Sequence, residues 1–552
     1  MASSLIGIGI TGLNAAMGAV RTTQHNIANA NTPGYHRQAV QLAANPPTYT
    51  GAGFFGNGVA ITTVARIYSQ FLDNELMRSQ GQLARHEVYA AYASQIDRLL
   101  GDQNSGLNSA LSAFFAAVQE VANDPTSMAA REAMLAAGRN LAGRMNNLGV
   151  SLEQMQASIN GEMATIASEA NAYLRRIADL NDRIALLQAM GGNPPNDLID
   201  QREQLTAELN KLMDVSVIRG GDGSYNLYLG GGQPLLIGNQ PNLLGVADDP
   251  YDNRIKTLTL GVGGATLSLD SQLVSGGRLG GLLALREEVL LPAQRELGRL
   301  AVGLAERFND QHDNGYGLDN TTGNIFFTSV SGLLKQPMPH EGNTGSATLA
   351  ATLSNSNDLT GSDYLLSYDG ASYTLTRLSD GASSTGALAA VTTIGGQPQG
   401  FILSLSSGTP AAGDRWLIRI TADAATNFGV VLSDPRQIAA AASSGAPGDN
   451  SNALALVALQ TSQTLSNSTT TYTGHYAQLV ARTASYAAEA DIAVKAYDSL
   501  ARQAFETQQS LSGVNLDEEA ANLIRYQQAY QAAARAMQVA SSLLDELLAI
   551  GR

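Results

Sequence analysis

Apolar positions at both ends of the chain recur at helical spacing. From Ile6 through Ile10, Leu13, Met17 and Val20 to Ile27 the steps alternate between four and three and close on a seven, which collects these side chains on one stripe of an α-helix. At the other end Leu516, Leu523, Tyr530, Met537 and Leu544 recur every seven residues, with Tyr526, Ala533, Ala540 and Leu547 in companion positions. This is the heptad grammar of a helix that packs on other helices. Such a stripe must be covered, either by the chain's own core or by another molecule.

Proline divides the rest of the chain, because a proline inside a helix costs about 3 kcal/mol. None lies between Pro125 and Pro194, and none follows Pro447. The spacing predicts one long helix from about Thr126 towards Met190, stopping at Gly191-Gly192, and a helical return from Asp197 to Met213. Asp124-Pro125 and Asp434-Pro435 both read as helix openings, an N-cap followed by a first-turn proline. Helical pattern also covers Arg278 to Phe308, with a kink expected at Pro292, and residues 472–510, where Leu479, Tyr486, Ala493 and Leu500 keep heptad step. Gly513 breaks that helix, and Asn515 with Glu518 resembles a capping box.

Between the rods the period changes to two. Val215 to Leu229 reads as two strands around Gly220-Gly221-Asp222-Gly223, and Lys256 to Asp270 as a second pair around Gly261 to Gly264. From Asn324 to about Ile420 the chain is rich in Ser, Thr and Gly and strand-like, with Tyr364 to Tyr368, a turn at Asp369-Gly370, Tyr373 to Leu378, and Phe401 to Leu405; Trp416, the only tryptophan, lies in the last strand. The expected fold class is mainly α with β insertions. An inserted β lobe of this kind is expected to keep few contacts beyond its two linkers.

Composition refines this picture. The 552-residue chain is 44% hydrophobic and 15% charged, enough apolar material for several folded domains. Its formal charge of -15 argues against nucleic acid, whose phosphates are gripped by Lys and Arg. Cysteine is absent, which excludes disulfides, thiolate metal sites and cysteine nucleophiles. The first basic residue, Arg21, follows the apolar stretch instead of preceding it, so no cleavable signal peptide is read. Residues 1–20 are too rich in Gly, Ser, Thr and Asn for a membrane span, and no membrane partner is expected.

Several stretches imitate chemical motifs. Gly7, Gly9 and Gly12 have the glycine spacing of a dinucleotide loop, but no strand precedes them and no acidic residue stands about twenty positions beyond. Close helix contact explains such small residues. His86-Glu87 opens like a zinc-protease helix, yet Ala90 stands where the second histidine is required. Asp313-Asn314-Gly315 lacks the alternating oxygen ligands and closing glutamate of a calcium loop. The histidines His25, His36, His86, His312, His340 and His475 form no local ligand or triad spacing. No catalytic, cofactor or metal residue is assigned, and no enzyme activity is expected.

The segment Asn26-Ile27-Ala28-Asn29-Ala30-Asn31-Thr32-Pro33-Gly34-Tyr35-His36-Arg37-Gln38 is a helix stop: asparagines compete for backbone hydrogen bonds and Pro33-Gly34 forces a turn. Its wording also resembles, almost letter for letter, the N-terminal signature of the flagellar rod, hook and hook-associated protein family. Asp517-Glu518-Glu519, Tyr526-Gln527-Gln528-Ala529-Tyr530 and Ala534-Arg535 are similar to that family's C-terminal segment. Leu107 to Leu135, with Phe114-Phe115, Asn123-Asp124-Pro125 and Arg131, resembles the rod helices of the members that join hook to filament, as do Leu198 to Leu209 and Gly276 to Phe327.

The resemblance implies a structural junction subunit, exported unfolded through the flagellar apparatus without a cleaved signal and assembled outside the cell. It implies an elongated, multi-domain molecule: residues 1–65 with 513–552 as a terminal helical tube domain, 66–335 with 431–512 as a helical rod domain carrying a small β insertion at 214–275, and 336–430 as an inserted outer β domain. The assembly residues would be Ile6, Ile10, Leu13, Met17, Val20, Ile27, Asn29, Pro33, Gly34 and Tyr35, with Leu516, Leu523, Tyr526, Tyr530, Met537, Leu544 and Leu547. Its partners would be further copies of the chain, the hook protein, a second hook-filament junction protein, and a flagellar export chaperone at the C-terminal helix. Two alternatives stand beside it: another axial subunit of the same family, or a junction subunit whose β lobe also binds surfaces through aromatics such as Tyr364, Tyr368, Tyr373 and Trp416. Alternating strands more often bury such aromatics in their own core. A hydrolase in the lobe would need convergent polar groups, and only His340 lies nearby.

Overall fold

The helices in chain order are α1 (Ala2–Ala28), α2 (Gln70–Gly101), α3 (Leu107–Asn123), α4 (Met128–Gly191), α5 (Asn196–Leu212), α6 (Gly277–Leu285), α7 (Leu291–Asp313), the one-turn α8 (Val330–Leu333) and α9 (Ala424–Asn427), α10 (Ser451–Ala458), α11 (Tyr472–Ser512) and α12 (Leu516–Ile550). The computed structural model describes residues 2–49, 51, 53–102, 106–191, 193–269 and 271–550. Among these, no helix is long and apolar enough to cross a membrane.

The long proline-free stretch forms α4, one helix of 64 residues, about 96 Å at 1.5 Å per residue. Leu141, Met145, Leu152, Ile159, Met163, Ile166, Leu174, Ile177 and Ile184 lie fully buried along one side of it, the 3.6-residue stripe that a core-facing helix needs. α5 returns along α4, α11 lies along α2, and α1 lies along α12. At one end of the rod Phe114, Phe308, Phe326, Phe327 and Phe428 close an aromatic core, with the Phe327 and Phe428 rings 4.7 Å apart.

The first Asp-Pro reading needs correction, and the second holds as an N-cap with a first-turn proline but over a shorter span than expected. Asp124 ends α3, its N–H donating to Glu120 O at 3.1 Å, and the hydroxyl of Ser127 caps α4 by accepting from the N–H of Ala130 at 3.2 Å. Asp434-Pro435 opens only a single 3-10 turn, Pro435–Gln437. Buried Arg131 donates to Ile438 O at 2.6 Å and to Pro435 O at 3.2 Å. The carbonyls that a longer helix would have used are held across the fold instead. The kink at Pro292 takes the form of a π turn, Arg286–Leu290, between α6 and α7, a turn that accommodates a residue with no N–H to give.

The small β region pairs as read. Strands Val215–Arg219 and Tyr225–Leu229 belong to a four-stranded sheet, and Lys256–Val262 and Ala265–Leu269 to a three-stranded one. The second hairpin turns on Gly263 and Gly264, at φ +59° and +88°, the pair of left-handed residues that a tight two-residue turn requires. One hairpin was not foreseen: Gln38–Ala44 pairs antiparallel with Val59–Arg66 and leans on α1.

In the β lobe a five-stranded antiparallel sheet runs in the order 338–339, 415–418, 364–368, 373–377, 383–386. Trp416 pairs with Leu366 and is only 1% exposed. Tyr364 is also buried, while Tyr368 and Tyr373 pack together with ring centroids 4.7 Å apart. These aromatics serve the lobe's own core.

The expectation of few contacts beyond the linkers is corrected by a buried ion network under the lobe. Asp252, from the small β region, accepts from Lys335 and Arg254 at 3.0 Å and from Arg419 at 3.5 Å. Asp363 of the lobe is held by Arg419 at 3.2 Å and by Arg295 of α7 at 2.8 Å. Arg307 donates to Asn355 at 2.8 Å, and one apolar core continues from the rod helices to Leu366 and Trp416. Charges at this depth are tolerable only when paired, so the lobe and its seat depend on each other. Trp416 fluorescence and helical circular dichroism are therefore expected to report one thermal transition in the intact chain. Two transitions well separated in temperature would show a lobe that stands independently.

Candidate assembly interface

The α1/α12 pair is built from small residues on one side and larger ones on the other. A Cβ on Gly9 would meet Met537 Cγ at 2.6 Å, and one on Gly12 would meet Ala533 Cβ at 3.7 Å. These glycines let the two backbones approach, as expected of residues that do not form a nucleotide loop. On α1 the most buried side chains are Ala15, Ala16, Ala19, Thr23 and Asn26.

The predicted stripe residues divide between this contact and the outside. Ile6, Leu13, Val20 and Ile27 are half-buried, as are Leu523, Tyr526, Met537 and Leu544. Ile10 and Met17 remain 46% exposed, Leu516 53% and Tyr530 42%. Leu547 belongs to α12, and its side chain lies outside the described residues. The intramolecular pair therefore uses the alanine and glycine face of α1 and leaves part of its branched aliphatic stripe uncovered.

The helix stop forms a polar clasp that joins the terminal pair to the rod. Gly34 turns the chain at φ +74°, where an added Cβ would sit 2.9 Å from Gln204 Cβ. Pro33 is exposed and Asn29 half-buried, with the Asn29 amide donating to His25 O at 3.0 Å. The Tyr35 hydroxyl donates to Asn26 Oδ1 at 2.7 Å. Buried Asn26 also exchanges both backbone bonds with Gln38, accepting at 3.0 Å and donating at 2.9 Å, and it donates to Glu519 of α12 at 3.2 Å.

The next residues reach four helices. Arg37 donates to Glu519 at 2.7 Å and to Glu518 at 3.0 Å, while its N–H donates to Ser512 O at the end of α11. His36 Nδ1 lies 2.8 Å from Asp200 of α5, and its Nε2 lies 3.5 Å from Asp73 of α2. Gln508 of α11 donates to Asp73 at 3.3 Å. Arg66, at the end of the hairpin, bridges Asp200 and Glu203, and the Tyr225 hydroxyl donates to Glu203 at 2.8 Å. Asn515 caps α12, its side chain accepting from the N–H of Asp517 at 3.0 Å and of Glu518 at 3.3 Å.

His36, Asp200 and Glu203 bring donor atoms within 4.8 Å of one another, a spacing that could hold a metal ion. The guanidinium of Arg66 already occupies the space between the two carboxylates. The cluster is thus an ion-paired brace. Sequence reasoning missed His36, Arg37, Arg66, Asp200, Glu203 and Glu519 as a set, since they are scattered along the chain, Arg37 and Glu519 standing 482 positions apart.

Burial alone would disfavour a charge on His36, but hydrogen bonds and attraction from Asp200 and Asp73 outweigh it and raise its pKa to about 9. A group whose pKa is raised by folding contributes stability that is complete below its ordinary value near 6.5 and is lost as pH rises through about 9. Hydrogen-exchange protection of residues 29–38 is expected to fall over that window and to lose this dependence in His36→Gln. Identical pH profiles for the two proteins would refute the assignment.

The family model "Flagellar hook-associated protein FlgK helical domain" matches residues 93–327, "Flagellar hook-associated protein 1, D2-like domain" matches 339–420, and "Flagellar basal body rod FlgEFG protein C-terminal" matches 507–550. The chain is 33% identical over 558 residues to flagellar hook-associated protein 1 of Salmonella typhimurium, covering 99% of this chain and 100% of that protein. The Escherichia coli protein of the same name is 32% identical over 553 residues, covering 99% and 100%. The fold is similar to the solved structure of the flagellar hook junction protein FlgK from Burkholderia pseudomallei, with TM-score 0.72 and 27% identity over 80% of this chain and 100% of that one. The chain therefore belongs to the flagellar hook-associated protein 1 family and is a structural component of the bacterial flagellum, not an enzyme.

Proposed function

We propose that this chain is the subunit that joins hook to filament, exported unfolded and assembled outside the cell through its terminal helices. The observation that carries this reading is the end-to-end match to hook-associated protein 1, which leaves neither the terminal helices nor the lobe unaccounted for. The uncovered part of the α1 and α12 stripes supports it, because apolar surface of this extent is stabilised when neighbouring subunits cover it. Residues Ile10, Met17, Leu516 and Tyr530 are the positions left open for neighbours. The clasp then has a mechanical role, transmitting load from the terminal pair through residues 26–38 to α2, α5 and α11.

In this reading the chain meets copies of itself, the hook protein below, and a second junction protein above. The apolar face of α12 is held by an export chaperone before assembly. The domain division at residues 65 and 513 follows the clasp, with the lobe at 336–430 as an outer spacer. Electron microscopy of flagella from cells lacking the protein tests the reading. Bare hooks with filament protein released to the medium are expected, and normal filaments would overturn it.

A further inference from the structure

Beyond the terminal helices, the hairpin 38–66 carries an apolar surface that its own chain does not use. At its tip Phe54 is 74% exposed, Tyr49 64% and Phe55 59%. Tyr49 pairs with Phe54 and Thr48 with Phe55, and the Tyr49 and Phe54 rings pack with centroids 5.2 Å apart. The base of the tip is tied: Asn57 donates to Pro46 O at 2.6 Å and to Thr48 Oγ1 at 2.7 Å, and Asn45 donates to Asn57 O at 3.0 Å. The hairpin is also seated on α1, with Ile61 against Gly18 and Gly58 against Thr11. A two-stranded hairpin gains little from itself, and exposed aromatic rings release most of their burial energy only on contact.

We propose that this aromatic tip is the tooth of a head-to-tail contact between copies of the chain, seated on the outward stripe of α1 in the next copy. The inference rests on the assembly reading above and names one of its contacts. Charge selects the occupant. Each copy carries a formal charge of -15, so copies repel except where the touching surfaces are uncharged. Residues 38–65 contain no Asp, Glu, Lys or Arg, and neither do residues 2–20.

Charge also selects the seat. Ile10 and Met17, on one face of α1 away from the hairpin, are each 46% exposed within that uncharged stretch. The exposed apolar residues of α11, such as Leu500, alternate with Lys495, Asp498 and Arg502, and Ile524, Val539 and Leu543 of α12 stand within about one helical turn of Arg525, Arg535 and Asp545. An aromatic tip laid on either would strip water from charges without pairing them, a costly burial. Tooth and seat are different patches of one chain, so the contact is heterologous and repeats around an axis.

The absence of cysteine permits a clean test. Phe54→Cys and Met17→Cys chains are co-expressed in cells lacking the native copy, and isolated flagella are treated with a short bis-maleimide linker. Within one chain the hairpin runs from Ile61 at Gly18 to Gly58 at Thr11, so its tip points away from Met17 and a link between these positions joins two copies. Cross-linked dimers are expected only when both variants are present. Flagella with attached filaments that give no such dimer, or that give dimers from Phe54→Cys alone, would overturn the tooth while leaving the junction role intact. Filaments that persist in cells lacking the protein altogether would instead overturn the junction role. As a second readout, Phe54→Ser with Phe55→Ser is expected to abolish swimming with an unchanged thermal midpoint, since both rings are exposed; unchanged swimming counts against the proposal.

Discussion

Arg66→Ala is expected to loosen the terminal helices from the rod. Its side chain is only 6% exposed and stands between the carboxylates of Asp200, 6% exposed, and Glu203, 18% exposed. Burial works against the charge on Glu203, and the Arg66 guanidinium with the Tyr225 hydroxyl overcomes it, holding the Glu203 pKa below its ordinary value. Without Arg66 the two carboxylates face each other, with His36 beside Asp200 and the more distant Arg219 beside Glu203 as the remaining cations. Removing one partner of such a buried pair costs about 3 to 5 kcal/mol. Arg66→Lys should recover only part of this, because one ammonium cannot reproduce the forked contact. Brief proteolysis and hydrogen exchange should show new cleavage and lost protection around residues 29–38. Adding Asp200→Asn and Glu203→Gln to Arg66→Ala should restore some protection by removing the stranded charges. An Arg66→Ala protein as protected as the parent would mean that the clasp does not depend on this brace.

The clasp explains why some of the molecule was legible in the sequence and some was not. α4 was readable because nothing about it is non-local: no proline interrupts it and its apolar residues fall on one face. The Asn515 cap and the break at Gly513 are likewise written within a few residues of where they act. The opposite holds for Asn26 and Glu519, 493 positions apart, or His36 and Asp200, 164 apart, whose meaning depends on distant partners. Nothing in either local segment announces the other.

Two further features were hard to read for physical reasons. Periodicity located the apolar stripe of α1 but not the face that α12 covers, since close approach of two helices is decided by small side chains such as Gly9, Gly12 and Ala16. The lobe looked detachable because its strands supply their own core. Its seat is a set of charged side chains, Asp252, Arg419, Asp363 and Arg295, that read in sequence as ordinary surface. The unforeseen hairpin lies in a stretch whose strands are exposed or half-buried beyond Gln38, so its alternation lacks the buried face that makes a strand conspicuous.

Met537→Asp is expected to break assembly more severely than any surface change on the same helix. Met537 is half-buried on α12 with its Cγ against Gly9, where a Cβ would meet it at 2.6 Å. A carboxylate there would lie against a glycine and alanine surface that has no hydrogen-bond donor to offer it. Losing a buried Met anchor costs about 2 to 5 kcal/mol; at this half-buried site the lower figure applies, roughly a 30-fold loss of affinity. The same apolar face is the one proposed for the export chaperone, which would read anchors at helical spacing, so chaperone binding and junction assembly should weaken together. Gln538, one step round the helix, is exposed, and Gln538→Asp adds the same charge without entering the contact. Calorimetry with purified chaperone and swimming of cells carrying each variant separate the possibilities. Strong loss with Met537→Asp and little with Gln538→Asp is the expected result, with the rod's helical signal unchanged in both. Equal damage from the two would mean that charge alone is responsible. Normal swimming with Met537→Asp would mean that the α1/α12 contact is dispensable in the assembled flagellum.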